Sequence, residues 1–344
     1  MLEDNKMNAY KNAGVDISKG NMFSRFAVHS GTITLKNEVI GNRHGFAGLF
    51  KVPLGYNSPV LAASTDGVGT KVKIAVEQAI HYDNPKYLKT IGHDVVAMVI
   101  NDIICTRADP LFFLDYLATS KIDFSLHKQV IVGITDALVE CDTTLLGGET
   151  AEMPGMYNNQ DFDLAGFGVG IVEEENIFKN DDIKENDIII GITSSGPHAN
   201  GYSLIRTILD TTNVDSQILE QLMQPTTLYH NAIKCVRDIV NGIAHITGGG
   251  LIENIPRIVD QSLTTMIKQH SWQIPSIFDW IQCNGNVSKL EMYRVFNMGI
   301  GMVLFVDPSE AKFIHHELRK VGYDAFIIGR VVPFDGQSVI INEK

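Results

Sequence analysis

The chain has 344 residues, of which 44% are hydrophobic and 20% are charged, a composition typical of a folded globular protein rather than a disordered or fibrous one. Its formal net charge of −12 argues against a function in binding nucleic acid or anionic membranes, which attract basic surfaces. Its apolar runs are far shorter than the roughly 20 residues that a membrane span needs. The N-terminus lacks the apolar core of a signal peptide and the four cysteines are isolated, so we expect a reduced, cytoplasmic protein.

The first half of the chain alternates short apolar runs with glycine-containing turns. Residues 1–55 are polar and glycine-rich, and we expect them to form an N-terminal arm. The apolar run Pro59–Thr65 predicts a buried strand that leads into a glycine turn, and a helix is expected to follow from Lys71. The apolar pattern after Gly92 predicts a second helix, with Asp94 as its N-cap.

A strand, a helix and another glycine turn are predicted next. The run Pro110–Ala118 is rich in aromatic and aliphatic residues, which favours a strand. Apolar residues then recur every four positions, which predicts an amphipathic helix capped by Ser125 and ending near Asp142. A short strand is expected after it, ending in a glycine turn that carries Glu149 and Glu152.

The second half of the chain repeats this alternation. The charged stretch Glu173–Ile188 predicts the connection between two domains, which we place at residues 56–172 and 173–344. Later strands are predicted in "DIIIGITSSG", at the end of "EMYRVFNMGIGMVLFV" and in "GYDAFIIGRVV". These elements predict an α/β protein of the α+β type with two comparable domains.

Four polar glycine turns follow apolar strands and hold the candidate functional residues. They read "TDGVGTK", "GGETAEMPG", "SSGPHANGYS" and "TGGGLIEN". Glycine lets backbone N–H groups approach phosphate oxygens closely. The carboxylates nearby would repel a polyphosphate unless Mg²⁺ lies between them, so the pattern predicts a nucleoside triphosphate bound with magnesium. The carboxylates concerned are Asp66, Asp94, Asp102 and Glu149.

Each candidate also has a structural alternative. Asp66 is equally well explained as a turn or helix cap, and Lys71 as a solvated helix residue. Asp94 fits a plain N-cap, and His198 fits an ordinary loop histidine. The chain has neither a Walker A motif nor a dinucleotide-binding fingerprint, so the residues alone indicate only a phosphate-binding enzyme.

Longer motifs resemble one known family over nearly the whole chain, from Tyr10 to about residue 332. They include "STDGVGTK", "AMVIND", "PLFFLDYLAT", "GGETAEMPGMY", "SSGPHANGYSL", "HITGGGLIENIPR" and "EMYRVFNMGIGM". In this order they resemble the phosphoribosylformylglycinamidine cyclo-ligases, also called aminoimidazole ribonucleotide synthetases, of purine biosynthesis.

The resemblance implies a reaction and an assembly. The reaction is ATP-dependent closure of the imidazole ring of formylglycinamidine ribonucleotide, giving aminoimidazole ribonucleotide, ADP and phosphate. The assembly is a homodimer of two-domain α/β chains whose N-terminal sheets join into a barrel. The same architecture is shared with selenophosphate synthetase and thiamine-monophosphate kinase.

The resemblance also implies roles for individual residues. Lys71 would neutralise phosphate charge, and His198 would contact the reacting amide or the substrate phosphate and move a proton. It assigns Mg²⁺ to Asp66, Asp102 and Glu149, catalysis to His198, Asp94 and Lys71, further ATP contacts to Gly67, Gly69, Thr70, Asn101, Gly147, Gly148 and Thr150, and substrate binding to Ser195, Gly196, Asn200 and Glu152.

Two segments depart from the family pattern. The stretch Ser24–Gly31 has no lysine where the family often carries basic residues, and the loop Gly41–Gly48 offers Arg43 and His44 as a local substitute for the missing charge. Two alternatives to the cyclo-ligase reaction stay open here. One is another phosphoryl transfer of the superfamily, to selenide or a thiamine phosphate, and the other is a non-catalytic dimeric scaffold.

Overall fold

The computed structural model describes residues 9–40, 46–158, 160–179 and 181–342. Arg43 and His44 therefore lie outside the described residues. The helices are α1 (Ala9–Asn12), α2 (Ile17–Ser30), α3 (Lys71–His81), α4 (Lys86–Ile104), α5 (Phe124–Glu140), α6 (Tyr202–Leu209), α7 (Ser216–Leu222), α8 (His230–Val236), α9 (Gly250–Asn254), α10 (Ser276–Gly285), α11 (Lys289–Val295) and α12 (Ala311–Lys320). The strands are β1 (Val39–Ile40), β2 (Leu49–Phe50), β3 (Pro59–Gly67), β4 (Asp109–Thr119), β5 (Thr144–Glu152), β6 (Phe162–Glu173), β7 (Ile188–Thr193), β8 (Gly242–His245), β9 (Leu263–Lys268), β10 (Ile300–Val306), β11 (Ala325–Pro333) and β12 (Val339–Asn342).

The chain divides into two compact units. The first holds residues up to Asn57 together with Ala63–Ile100 and Pro110–Ile171. The second holds Ser58–Ala62, Asn101–Asp109 and the residues from Val172 onward. The predicted domain ranges, each continuous along the chain, stay a prediction.

The first unit is built on a four-stranded sheet in the order β3-β6-β4-β5. Strands β4 and β5 run parallel, in a register that places Asp115 beside Gly148. Helices α4 and α5 approach each other closely because both carry glycine at the contact: a Cβ at Gly92 would lie 2.0 Å from the carbonyl oxygen of Val130, and one at Gly133 would lie 2.0 Å from that of Lys89. Such contacts leave no space for a side chain at either position.

The second unit is built on a six-stranded sheet in the order β12-β9-β11-β7-β10-β8. Every residue of β10 is buried, and this strand pairs antiparallel with both β7 and β8. The register sets Ile300 beside Thr193 and Met302 beside His245. The start of β10 therefore lies next to the ends of β7 and β8, and the loops at these three points share one edge of the sheet.

Several sequence predictions are confirmed. Strands are present at Pro59–Gly67 and Asp109–Thr119, and α3 begins at Lys71. The strand at Pro59–Gly67 is not buried as predicted: its residues are exposed or half-buried, because β3 lies at the edge of its sheet. Ser125 is not the cap of α5, because Asp123 precedes the helix and its carboxylate accepts hydrogen bonds from two backbone N–H groups of the first turn.

Two other predictions are wrong. Asp94 is not an N-cap, because α4 begins at Lys86 and places Asp94 in its interior, fully buried. The expected glycine turn at residues 147–152 is strand, since β5 continues to Glu152 in register with β4. The polar residues of this segment are typical of a turn, but an edge strand also tolerates them because one side of it is open to solvent.

His127 gives this unit a predictable dependence on pH. Its ring is fully buried against Phe23 and Phe162, and its Nδ1 accepts a hydrogen bond from the backbone N–H of Asp123 at 3.1 Å. Burial lowers the pKa of His127 to about 4. Between pH 6.5 and 4 the unfolded chain therefore binds a proton that the folded chain does not, so stability falls as the pH falls.

We predict that acidification from pH 7 to 4.5 lowers the free energy of unfolding of the wild-type protein by up to about 3 kcal/mol more than it lowers that of His127→Gln. Urea unfolding at the two pH values measures this difference and separates it from the packing cost of the substitution. His316→Gln changes an exposed histidine and serves as the control. Equal losses of unfolding free energy in all three proteins would contradict the lowered pKa of His127.

Candidate active site

The turn between β3 and α3 carries the first group of predicted residues. Asp66 accepts a hydrogen bond from the N–H of Gly67 at 2.8 Å, and Gly69 has a φ of +66°, which favours glycine. The N–H of Val68 donates to the carbonyl of Leu164 at 3.2 Å, which anchors the turn to β6. The predicted nucleotide-binding residues Gly67, Gly69 and Thr70 thus lie in one tethered turn that begins at Asp66.

Lys71 is not solvated. Its Nζ lies 2.8 Å from Oδ2 of Asp94, and both side chains have no exposed surface. Burial lowers the pKa of Lys71, and the charge of Asp94 opposes that shift. The structure thus excludes the solvated-lysine alternative and gives the pair a structural role, while the catalytic roles assigned to both residues stay predictions.

Strand β5 carries the second group. Gly147, Gly148 and Glu149 are exposed, and Glu149 lies in register with Tyr116 of β4. A Cβ at Gly148 would lie 2.1 Å from Oδ1 of Asp115, so the carboxylate of Asp115 occupies the space of the missing side chain. Any other residue at position 148 would displace that carboxylate.

Asp115 is a residue that sequence reasoning missed. It is 6% exposed, and burial, assisted by the charge of Glu149, raises its pKa to about 7. A signal for it was present, because Asp115 is the one charged residue within "PLFFLDYLA". A carboxylate in a buried strand costs free energy and is a recognised sign of a functional position.

Glu152, predicted to bind substrate, has a local structural role. Its Oε2 accepts from the N–H of Asp16 at 3.0 Å, and its Oε1 accepts from the N–H of Ile122 at 2.8 Å. These two bonds hold the segment before α2 and the segment after β4 against the end of β5. Contact of Glu152 with substrate stays a prediction, as does that of Thr150 with ATP.

The loop after β7 carries the third group, in the second unit. Positive φ angles recur at Gly196 (+151°), His198 (+61°) and Gly201 (+78°). Asn297 clamps this loop: its Nδ2 donates to the carbonyl of Gly196 at 2.8 Å, and its Oδ1 accepts from the Ser194 hydroxyl at 2.9 Å. The sharply bent backbone is therefore held by an amide from the segment that precedes β10.

Asn101 and Thr227 connect this loop to the end of α4. Asn101 donates to the carbonyl of Thr227 and accepts from the N–H of Tyr229, both at 2.9 Å. Thr227 in turn accepts from the N–H of Ser195 at 3.1 Å, and its own N–H donates to Nε2 of His198 at 3.4 Å. His198 is 1% exposed, so it is not the ordinary loop histidine of the structural alternative. Because Nε2 accepts, the proton of the neutral ring is on Nδ1.

Asp102 and His245 form a further pair in the second unit. Oδ1 of Asp102 lies 2.8 Å from Nδ1 of His245, and the Asp102 side chain is 40% exposed whereas that of His245 is 3% exposed. His245 was missed by sequence reasoning, although it lies two residues before Thr247, where the glycine turn begins. Asn200 belongs to the same region, since its Oδ1 lies 3.4 Å from where a Cβ of Gly248 would be.

The three predicted metal ligands are divided between the two units. Within the ranges described, no group of three or more His, Cys, Asp or Glu side chains is arranged to hold a metal ion. Asp66 and Glu149 belong to the first unit, and Asp102 belongs to the second. The donor types still fit Mg²⁺, which is usually bound by one or two carboxylates together with substrate phosphates. The magnesium assignment stays a prediction.

Comparisons with known proteins identify the family. Residues 47–172 match the family model "AIR synthase related protein, N-terminal domain", and residues 184–342 match its C-terminal counterpart. A curated relative from Thermoanaerobacter sp. (strain X514), named phosphoribosylformylglycinamidine cyclo-ligase, is 44% identical over 342 residues, which cover 96% of this chain and 99% of the relative. The chain belongs to the phosphoribosylformylglycinamidine cyclo-ligase family. The resemblance noted from the motifs is thereby confirmed.

Solved structures establish the fold. A thiamine-monophosphate kinase from Stenotrophomonas maltophilia superposes with a TM-score of 0.67 at 16% identity, covering 92% of this chain and 95% of the kinase. The hydrogenase maturation protein HypE in complex with ATP superposes with a TM-score of 0.65 at 14% identity, covering 93% of this chain and 88% of the HypE chain. These likenesses confirm the two-domain mixed α/β fold. In the described part of the chain, no helix has the length and apolar character of a membrane span.

We predict that Lys71→Met lowers the free energy of unfolding by about 3–5 kcal/mol, because it leaves the Asp94 carboxylate buried without its cation. Adding Asp94→Leu is expected to restore most of the loss. Urea unfolding followed by circular dichroism measures all three proteins.

The pair Lys89–Asp136 is a matched control. Nζ of Lys89 lies 2.6 Å from Oδ2 of Asp136, and both side chains are about half exposed. Lys89→Met is expected to cost less than about 1 kcal/mol, because water screens an exposed pair. If Lys71→Met lowers the free energy of unfolding as little as Lys89→Met does, the result would contradict the stabilising role of the buried ion pair.

Proposed function

We propose that this protein catalyses the ATP-dependent closure of formylglycinamidine ribonucleotide to aminoimidazole ribonucleotide, with release of ADP and phosphate, in purine biosynthesis. The observation that carries the proposal is the 44% identity to a named cyclo-ligase over 96% of the chain. A reducing, cytoplasmic location is part of the proposal, in keeping with free thiols at all four cysteines.

The chemistry explains why phosphoryl transfer precedes ring closure. The formamide oxygen of the substrate is a poor leaving group, so direct dehydration is slow. Transfer of the γ-phosphoryl group to that oxygen converts it into phosphate. A substrate nitrogen then attacks the formyl carbon, the new C–N bond forms, the nitrogen loses its proton to solvent, the C–O bond breaks and phosphate leaves. Such transfer depends mainly on positioning and on neutralising charge.

The turn "STDGVGTK" and the exposed glycines of β5 are proposed to contact ATP. Their backbone N–H groups provide donors for phosphate oxygens, and Asp66 and Glu149 provide hard oxygen ligands for Mg²⁺. When bound, the metal ion would neutralise phosphate charge. The ATP-bound HypE structure, which shares this fold, supports the use of ATP here.

His198, Ser195, Gly196 and Asn200 are proposed to contact the formylglycinamidine substrate. The loop that carries them is held at Asn297 and at Thr227, so its strained backbone is fixed before substrate arrives. With Nε2 accepting from Thr227, the proton of His198 is on Nδ1, which is buried, so its proposed transfer to a substrate oxygen or to phosphate requires the ring to become accessible when substrate binds.

The competing reaction, phosphorylation of a thiamine phosphate, is supported less well. Its support is a superposition at 16% identity, which reflects the shared fold alone. A non-catalytic scaffold is disfavoured because a buried acid such as Asp115 costs free energy that a scaffold has no need to incur.

A homodimer is also proposed, from an apolar face of the first unit's sheet. Phe167 of β6 is 44% exposed, and Leu114 and Tyr116 of the neighbouring strand β4 are half-buried on the same face. Gly166 and Phe113 point to the opposite, helix-covered face, since a Cβ at Gly166 would lie 2.2 Å from the Phe113 ring. An aromatic side chain exposed on a sheet face is typical of an interface.

We predict that purified protein with formylglycinamidine ribonucleotide and Mg-ATP forms aminoimidazole ribonucleotide, detected by diazo coupling of the arylamine. Thiamine phosphate in place of the ribonucleotide should give no ADP above background. Tight ATP binding without any arylamine would refute the cyclo-ligase assignment.

We predict that Asp66→Asn lowers kcat by about 100-fold or more while leaving the melting temperature nearly unchanged, because it removes a ligand charge and preserves shape. The control is Glu185→Gln, an exposed acid remote in sequence from the glycine turns. Near-normal turnover of Asp66→Asn would remove Asp66 from the metal role.

We predict that wild-type protein sediments as a dimer and that Phe167→Asp sediments as a monomer, because a carboxylate on the apolar face must be desolvated to associate. Phe313→Asp, on the exposed side of α12, should remain dimeric. A wild-type monomer in sedimentation equilibrium would contradict the proposed interface.

A further inference from the structure

The amide of Asn101 is fully buried near the end of α4, in the part of that helix that belongs to the second unit. Its Nδ2 donates to the carbonyl of Thr227 and its Oδ1 accepts from the N–H of Tyr229, both at 2.9 Å. Because one end of the amide meets an acceptor and the other meets a donor, its orientation is fixed. The family resemblance implies that Asn101 contacts ATP, but a buried amide engaged at both ends indicates a different role.

The same Nδ2 also faces His245. Nε2 of His245 lies 3.5 Å from Nδ2 of Asn101, and Nδ1 of His245 lies 2.8 Å from Oδ1 of Asp102. An amide nitrogen only donates and an ionised carboxylate only accepts, so Nε2 accepts and Nδ1 carries the proton. Both contacts therefore select one tautomer of His245. In that tautomer a buried ring directs a hydrogen bond at the carboxylate of Asp102, whose side chain is 40% exposed.

Thr227 connects Asn101 to the loop after β7. The N–H of Thr227 donates to Nε2 of His198 at 3.4 Å, and its hydroxyl accepts from the N–H of Ser195 at 3.1 Å. Asn101 holds the carbonyl of this same threonine. A shift of Thr227 would therefore change both of its contacts with the loop.

We propose that Asn101 is a positioning residue that fixes Asp102 and His198 relative to each other, the first through His245 and the second through Thr227. The inference rests on the proposed function, in which Asp102 is a predicted metal ligand and His198 contacts the substrate. Such groups need a fixed separation, because a misplacement of about 1 Å can cost about 100-fold in rate. One buried amide provides it by bonding to the residue that holds each of them.

Two variants of His245 test the connection to Asp102. His245→Phe keeps a planar ring and removes both nitrogens, so the dissociation constant of a magnesium-bound, non-hydrolysable ATP analogue is expected to rise about 10-fold in calorimetry. His245→Asn keeps a donor near the position of Nδ1 and is expected to restore most of this affinity, which a role in packing alone would not allow. Unchanged affinity in His245→Phe would overturn the proposal.

Asn101→Ala tests the whole network, and the space that it leaves is small and polar enough for water. We expect this variant to lose about 10-fold in affinity for the same analogue and about 10-fold in kcat at saturating nucleotide. Thr227→Val, which removes only a hydroxyl, should lower kcat alone. Asn284→Ala, an exposed asparagine of α10, should change neither value. A loss of nucleotide affinity in Asn101→Ala with unchanged kcat would overturn the proposal and indicate direct contact with ATP.

Ring ¹⁵N NMR of the histidines, measured without ligand, keeps the test independent of turnover and of the folding of the variants. In wild type both His198 and His245 should carry the proton on Nδ1, and in Asn101→Ala the ring signals of both should shift. A proton on Nε2 of His245 in wild type, or unchanged ring signals in Asn101→Ala, would overturn the proposal. Failure of arylamine formation refutes the proposed function separately, because these spectra require no substrate.

Discussion

The buried ion pair between Lys71 and Asp94 is the constraint on which the first unit depends. Neither buried charge is stable without the opposite charge beside it. Helix α3 must therefore begin where Lys71 reaches Asp94 in the interior of α4. The turn "STDGVGT" ends at that point. Its glycines and Asp66 are therefore held at the start of a helix whose direction is fixed by a contact in the core. The pair positions the turn, and the turn supplies the groups proposed to contact ATP and magnesium.

In the second unit a corresponding constraint comes from strand order. Because β10 lies between β7 and β8 and runs antiparallel to both, the three loops at its start and at their ends are neighbours. Two asparagines then fix these loops: Asn297 holds the loop of His198, and Asn101 holds the segment of Thr227 that contacts the same histidine. The residues proposed to contact substrate are thus positioned by amide hydrogen bonds rather than by their own loop.

Local sequence predicted the strands and helices that have a clear period, such as β3 and β4, and the motifs identified the family. It failed where tertiary contacts decide. Asp94 looks like a helix cap in sequence, but the helix begins earlier, at Lys86, and its first turns are buried at Tyr87, Leu88 and Ile91. Glycines 147 and 148 look like a turn, but β4 pairs with them and Asp115 uses the space of one missing side chain. The roles of Asn297 and His245 depend on contacts distant in sequence, which no single-chain pattern contains.

The proposed chemistry begins at the formamide of the substrate, whose oxygen must reach the γ-phosphate of ATP. This arrangement requires that the formyl oxygen leave the substrate on phosphorus. The most direct measurement uses substrate labelled with ¹⁸O in its formyl group and mass spectrometry of the inorganic phosphate. The account predicts one ¹⁸O atom in each phosphate released, and unlabelled phosphate would contradict it.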